Sequence, residues 1–424
     1  MWLPDLADVS RMTGVLSQHV GALGVAGQVD SVQLLDVRLT HPHRPESPLC
    51  RGWATYLLRP TEAAPVQLYV KGFPDEVTSR AAWEQDREAR PEGRSVHLRE
   101  ADLVVWPFPD DPRLTTLPTL VAPRRLAAIL PPRTRDLLGQ GVALRTTVVR
   151  YQPEASATLR VEAGEAGGPT VFAKHLADGT VAAAASRHEA LWSVDPRDGL
   201  RIAEPLGADP DRGVLWTRGV VGRPLAFAFP PDRLADVTAS VGRLLAALHA
   251  TAVDAPVLTL DDLLAEMTKK IAKLTQALPA VGALLADLAA GAERRRNDAT
   301  PERVSTLHGD FHIDQLVSSA AGPVLVDLDS MVCGPPEIDL AEFLVDLALR
   351  GLPLPVARGV GHSLLSSYAA AGATAIDRAA LDVCADAEFV NRCYRHLRRH
   401  TPGWQDDLTA ELGRHADVTA MLRH

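Results

Sequence analysis

The stretches His308-Gly309-Asp310-Phe311-His312-Ile313-Asp314-Gln315 and Val324-Leu325-Val326-Asp327-Leu328-Asp329 carry the strongest signal in this 424-residue chain. The first sets a carboxylate and a side-chain amide five residues apart. The second ends an apolar run in two carboxylates, the nearer one twelve residues beyond Gln315. Transfer of a γ-phosphoryl group asks for such parts: a carboxylate that takes the proton of the attacking hydroxyl, an amide and a carboxylate that hold Mg2+ against the phosphates, and a lysine on the α and β phosphates. An isolated His-Gly-Asp is more often a plain turn, so the reading depends on finding the other groups in the right order.

The lysine is conspicuous because the chain has so few. Of 44 basic residues only five are lysine: Lys71, Lys174, Lys269, Lys270 and Lys273. The last three lie on an amphipathic stretch and read as a solvated helix face, as does Arg392 to Arg399. Lys71 and Lys174 each close a β-like run, Val66 to Lys71 and Thr170 to Lys174, rich in β-branched and aromatic residues. A Glu-bearing helical stretch follows each, with Glu84 and Glu88 after Lys71 and Glu189 after Lys174. Lys174 is the favoured nucleotide lysine, because the 239 residues between Lys71 and Asp310 would require an inserted domain, against 136 from Lys174.

Outward from these residues the chain divides in three. Residues 1–138 hold an initial helix, Pro-rich turns at 41–45, two strand candidates and a charged helix from Glu76 to Arg90, and end at the double proline Pro131-Pro132. Residues 139–220 repeat that outline, Thr146 to Pro153 resembling Ala54 to Pro60 and Val171 to Lys174 resembling Leu68 to Lys71, so the first unit is either a degenerate copy of the second or two hairpins alike by chance. Residues 221–424 turn helical, from Pro231 to Thr251, Asp261 to about Asp298 and Ile338 onward, around a small β insertion at 304–333. A β-rich unit therefore precedes a helical one, an α+β arrangement with an additional amino-terminal domain.

Composition excludes several classes. Hydrophobic residues at 46% and charged residues at 23% are near the globular average, which excludes long disorder. A net charge of −9 argues against a phosphate-tracking nucleic-acid surface. No uncharged apolar run reaches the length of a membrane span and the amino terminus lacks a signal pattern, so neither nucleic acid nor membrane is an expected partner. The four cysteines, without CxxC spacing, read as thiols of a reducing compartment, and the expected location is the cytoplasm. The sequence does not give the oligomeric state.

The motif pair His-Gly-Asp-x-His-x-x-Gln and Asp-x-Asp, continued by Gly334-Pro335-Pro336-Glu337-Ile338-Asp339, resembles the aminoglycoside phosphotransferase and choline kinase group of small-molecule kinases, near its maltokinase-like branch. The resemblance implies a protein-kinase-like bilobal fold with a β-rich N-lobe, a helical C-lobe and an amino-terminal α/β cap. It implies ATP and Mg2+ as cofactors and a hydroxyl of a small molecule as acceptor: an amino sugar, an aminoglycoside or a neutral sugar. Asp310 would be the catalytic base and Gln315 and Asp327 metal ligands. Lys174 would bind phosphates, paired with Glu189. Val214 to Arg218 would be the hinge, placing Trp216 and Arg218 at the adenine, and His308, His312 and Asp339 would brace the site.

Three features depart from that pattern. Gln315 stands where many members carry Asn. Asp329 replaces the glycine of Asp-Phe-Gly and is either a second metal ligand or a cap of the next turn. The turn Gln152 to Ala157 has no glycine, so backbone amides and Ser156 would cover the phosphates. Glu337, Glu342, Asp346, Asp382, Asp386 and Glu388 would suit a cationic acceptor. A catalytically silent nucleotide-binding scaffold and a kinase acting on a peptide hydroxyl are the competing readings.

Overall fold

The computed structural model describes residues 4–39, 52–164, 168–194, 199–227, 234–300, 304–372, 375–399 and 401–422. The Pro-rich turns at 41–45, Cys50 and the start of the helix expected from Pro231 lie outside them.

Two five-stranded antiparallel sheets occupy the amino-terminal half. The first comprises β1 (Val29–Leu39), β2 (Gly52–Pro60), β3 (Val66–Gly72), β4 (Val96–Leu98) and β5 (Leu103–Pro107), in the order β1-β2-β3-β5-β4. The second comprises β6 (Leu144–Gln152), β7 (Ser156–Ala163), β8 (Thr170–Leu176), β9 (Pro205–Asp209) and β10 (Val214–Arg218), in the order β6-β7-β8-β10-β9. The two orders are the same, and in each unit a helix, Glu76–Ala89 or Val181–Trp192, connects the third strand to the fourth.

Alternation along the strands gives each sheet two faces. One face of the first sheet, with Ala54, Tyr56, Leu68 and Val105, packs on Leu6, Met12 and Leu16 from the initial helices. The matching face of the second, with Leu159, Val161, Ala173 and Trp216, packs on Leu117, Leu120, Leu126 and Leu138 from helices Leu117–Leu120, Pro123–Ile129 and Pro132–Leu138. The packing boundary therefore falls before Leu114, not at the double proline. Pro132 instead opens a helix, where its missing N–H costs nothing, and that helix belongs to the second core.

The carboxy-terminal half is a helical lobe around one large core, with Phe311, Phe343, Leu344 and Phe389 fully buried. The expected single helix from Asp261 is two, Leu260–Ala277 and Gly282–Asp298, broken at Pro279, which cannot continue the hydrogen-bond ladder. Short strands Ser305–Leu307, Leu316–Ser319, Gly322–Leu325 and Val332–Gly334 carry the motif residues at the top of this lobe. No helix among the described residues is long and apolar enough to cross a membrane.

Candidate active site

The second sheet and the helical lobe enclose a cleft of about 940 Å³, a size suited to a small ligand. Its roof is the face of the second sheet turned away from the core, with Thr158, Phe172, Lys174, Leu215 and Thr217. Its floor carries Gln315, Asp327 and Asp329. Lys174 spans the gap. Its Nζ donates to Asp327 Oδ1 and, at 2.6 Å, to Asp329 Oδ1.

Burial opposes charge in this trio, and the ion pairs decide the outcome unevenly. Desolvation alone would lower the pKa of the Lys174 ammonium, but the two carboxylates outweigh it and hold the pKa raised. Asp327, although desolvated, is held down at about 2 by the ammonium. Desolvation pushes Asp329 up to about 6 despite Lys174, and the charge of Asp327 adds to the push.

Asp327 has φ 65°, in the left-handed region where Asp is tolerated better than most side chains, so the strand ends and the carboxylate turns into the cleft. Gln315 Nε2 lies 3.4 Å from Asp327 Oδ2 and 3.2 Å from His312 Nε2, and His312 Nε2 lies 3.8 Å from Asp310 Oδ2. A continuous line of contacts thus joins Lys174 to Asp310 across both lobes. The Asp310 side chain is half exposed, open to a group that arrives from solvent.

Loop 308–312 is held from beneath. Asp339, fully buried at the start of helix Glu337–Leu349, accepts from the amides of His308 at 2.7 Å and Gly309 at 3.0 Å. His249 Nε2, 3.1 Å away, completes its partners and is oriented in turn by the Tyr368 hydroxyl at 2.9 Å from Nδ1. The His308 ring donates to the carbonyl of Val326 at 3.0 Å, tying the loop to the strand that delivers Asp327. Gly309 has φ 79°, and a Cβ there would meet the Ser330 carbonyl oxygen at 2.3 Å, so this position needs glycine on both counts.

Among the described residues no cluster of three or more His, Cys, Asp or Glu is arranged for a metal ion. Asp327, Asp329 and the Gln315 amide nevertheless fit Mg2+, which takes one or two protein carboxylates and fills its remaining positions with phosphate oxygens and water. A cationic group, the Lys174 ammonium, already sits on both carboxylates.

Several expected positions differ. Glu189 faces away from Lys174: it is 45% exposed and pairs with Arg133 at 3.0 Å, while Ala184 and His188 of the same helix turn toward the cleft. Arg187 donates to the Asp329 carbonyl oxygen at 3.3 Å, so the helix reaches the site through a different residue. The Trp216 side chain is buried in the core behind the sheet, leaving Leu215, Thr217, Arg218 and the linker Gly219 to Gly222 at the cleft, Arg218 being paired with Glu204 at 2.8 Å. Ser156 does not line the cleft; Thr158, directly opposite Lys174, does.

Several of the acidic residues expected to suit a cationic acceptor are turned inward. Glu337, Asp346, Asp386 and Glu388 are buried, and the last three pair with Arg350 and Arg392, Arg295, and Arg392 respectively. Glu342 accepts from the Phe311 amide at 2.7 Å, and desolvation and the Asp339 charge push its carboxyl well above the usual range. His249 was not singled out from sequence, where it is one more polar residue on a helix, and Arg392, read there as part of a solvated face, is mostly buried against Asp346 and Glu388.

The phosphotransferase enzyme family model matches residues 148–380. Solved structures similar to the chain include a choline/ethanolamine kinase family protein from Mesorhizobium loti, 17% identical with a TM-score of 0.47, covering 72% of this chain and 94% of that one. A macrolide 2'-phosphotransferase from Brachybacterium faecium is 16% identical with a TM-score of 0.44, covering 68% and 93%. A thermostable mutant of aminoglycoside phosphotransferase APH(4)-Ia is 16% identical with a TM-score of 0.48, covering 66% and 95%. No curated protein matches the chain. With the family match spanning more than half of its length and the bilobal architecture around the Lys174–Asp327 cleft, the chain belongs to the phosphotransferase enzyme family.

Proposed function

We propose that the protein transfers the γ-phosphoryl group of ATP to a hydroxyl of a small molecule in the presence of Mg2+. The observation that carries the reading is the reach of Lys174 from the second sheet onto Asp327 and Asp329 of the helical lobe, beside an Asp310 loop pinned by Asp339. Lys174 binds the phosphates, and Asp327, Gln315 and Asp329 are the groups that would hold Mg2+. When bound, the cation neutralises phosphate charge and aligns the triphosphate.

Asp310 orients the acceptor hydroxyl and takes its proton late. A carboxylate is far too weak a base to ionise an alcohol beforehand, so most of the acceleration comes from positioning. The acceptor oxygen bonds to the γ-phosphorus as the bond to the bridging oxygen breaks; ADP leaves and the proton passes to Asp310. Glu337, Asp346, Asp386 and Glu388 are buried and not available to an acceptor, and the charge of Asp310 acts on the guanidinium groups of Arg392 and Arg395. This favours an uncharged polyhydroxy acceptor over a polycationic one.

ATP consumption is measured with pooled neutral sugars, amino sugars and amino alcohols, and repeated with Asp310→Asn. Turnover that collapses in the variant supports the reading. Mg-ATP binding without transfer to any acceptor favours a silent scaffold, and turnover confined to amino sugars or amino alcohols overturns the acceptor class.

A further inference from the structure

The turn between β6 and β7, which the kinase reading assigns to cover the nucleotide phosphates, has no glycine, and Glu154 in it adopts a left-handed conformation with φ 58°. Such a turn holds its shape only when its surroundings impose it. The surroundings here come from the first domain and the segment that leaves it. Lys71, on β3 of the first sheet, meets Glu154 Oε1 at 2.6 Å, with both side chains 21% exposed. Asp111, fully buried, accepts from the Glu154 amide at 3.0 Å and the Tyr151 hydroxyl at 2.9 Å. Its other oxygen takes the amides of Arg113 and Leu114 at 2.8 Å.

The support extends further back. Arg90 donates to the Asp111 carbonyl oxygen at 2.9 Å and pairs with Asp86, whose second oxygen accepts from the Trp106 indole at 3.1 Å. Trp106 stacks on Tyr69, and Trp53 meets Tyr69 edge-on, at ring separations of 5.2 and 5.9 Å. These aromatic side chains fill the face of the first sheet that corresponds to the nucleotide cleft of the second.

We propose that the first domain is a clamp on the phosphate-covering turn, with Lys71 and Asp111 as positioning residues that act through Glu154. The inference rests on the kinase reading for its catalytic meaning, though not for the contact itself. A turn held rigid by a neighbouring domain stands in place of an adaptable glycine-rich loop, at which no side chain would be available to grip.

The test uses the full chain with Lys71→Glu, Glu154→Lys and the charge-swapped double variant. Hydrogen exchange at residues 151–156 is expected to rise in each single variant and return toward wild type in the double, with the rest of β7 unchanged. With an accepted substrate, kcat is expected to fall roughly tenfold to a hundredfold in the single variants and to recover in the double. Unchanged exchange overturns the clamp. Raised exchange with unaltered kcat and ATP KM overturns its positioning role. A wild-type protein that turns over nothing fails the kinase reading instead, and the exchange measurement still decides the clamp.

Discussion

Lys71 and Lys174 occupy corresponding places in two sheets of the same strand order. Lys71 sits on β3 opposite Trp53 and Val104, and Lys174 on β8 opposite Thr158 and Leu215. Each reaches out of its sheet to a carboxylate of the next body along the chain, Glu154 for Lys71 and Asp327 with Asp329 for Lys174. The neighbours differ in kind: aromatic rings fill the face around Lys71, whereas an open cleft lies beneath Lys174.

The two lysines should therefore respond differently to nucleotide. Their side chains are 21% and 20% exposed, so an amine-acylating reagent meets them on nearly equal terms. Saturating Mg-ATP is expected to suppress labelling of Lys174 about tenfold or more and to leave Lys71 unchanged, read by peptide mass spectrometry. Protection of Lys71 alone would move the nucleotide to the first sheet.

The grouping of Asp310, Gln315 and Asp327 was legible in the sequence because short segments join them. Asp310, Gln315 and Asp327 lie within one compact β unit, so their spacing nearly fixes their geometry. Glu189 failed because a distance of fifteen residues from Lys174 says nothing about the phase of the helix between them; at the phase adopted, Glu189 meets Arg133. The grip of Lys71 on Glu154 was not legible either, since the two are far apart in sequence and the contact exists only once two separate sheets have docked. The packing partner of residues 114–138 was hidden for a related reason. Prolines 131 and 132 look like a linker until the helices around them are seen packed on Leu159 and Trp216.

Asp339 should be the residue on which loop 308–312 depends most for stability. Burial alone would push its carboxyl up, and the hydrogen bond and charge of His249, with help from His308, hold it below the usual range. Asp339→Ala leaves two buried amides and the His249 ring without their acceptor, at a cost of about 3 to 5 kcal/mol. Urea denaturation measures this directly. A loss under about 1 kcal/mol would mean that the loop does not rely on this carboxylate.

Glu342 should tolerate a neutral replacement. Because burial and the neighbouring Asp339 charge favour its protonated form, Glu342→Gln preserves shape and charge state, and its stability should stay within about 1 kcal/mol of wild type. Glu342→Ala strands the Phe311 amide, at about 1 to 3 kcal/mol. Equal destabilisation by Gln and Ala would show that an ionised carboxylate is needed there.

His175 gives the fold a defined weakness to acid. It is buried beside Lys174 on β8, and desolvation lowers its pKa from 6.5 to about 4. Between those values the unfolded chain binds a proton that the folded protein refuses, so stability is retained above pH 6.5 and declines as the pH falls toward 4. The full contribution is on the order of 3 kcal/mol by pH 4. Denaturant midpoints collected from pH 7 to 4 should fall less steeply for His175→Gln than for wild type. Parallel slopes for the two proteins would exclude His175 as the source of the acid sensitivity.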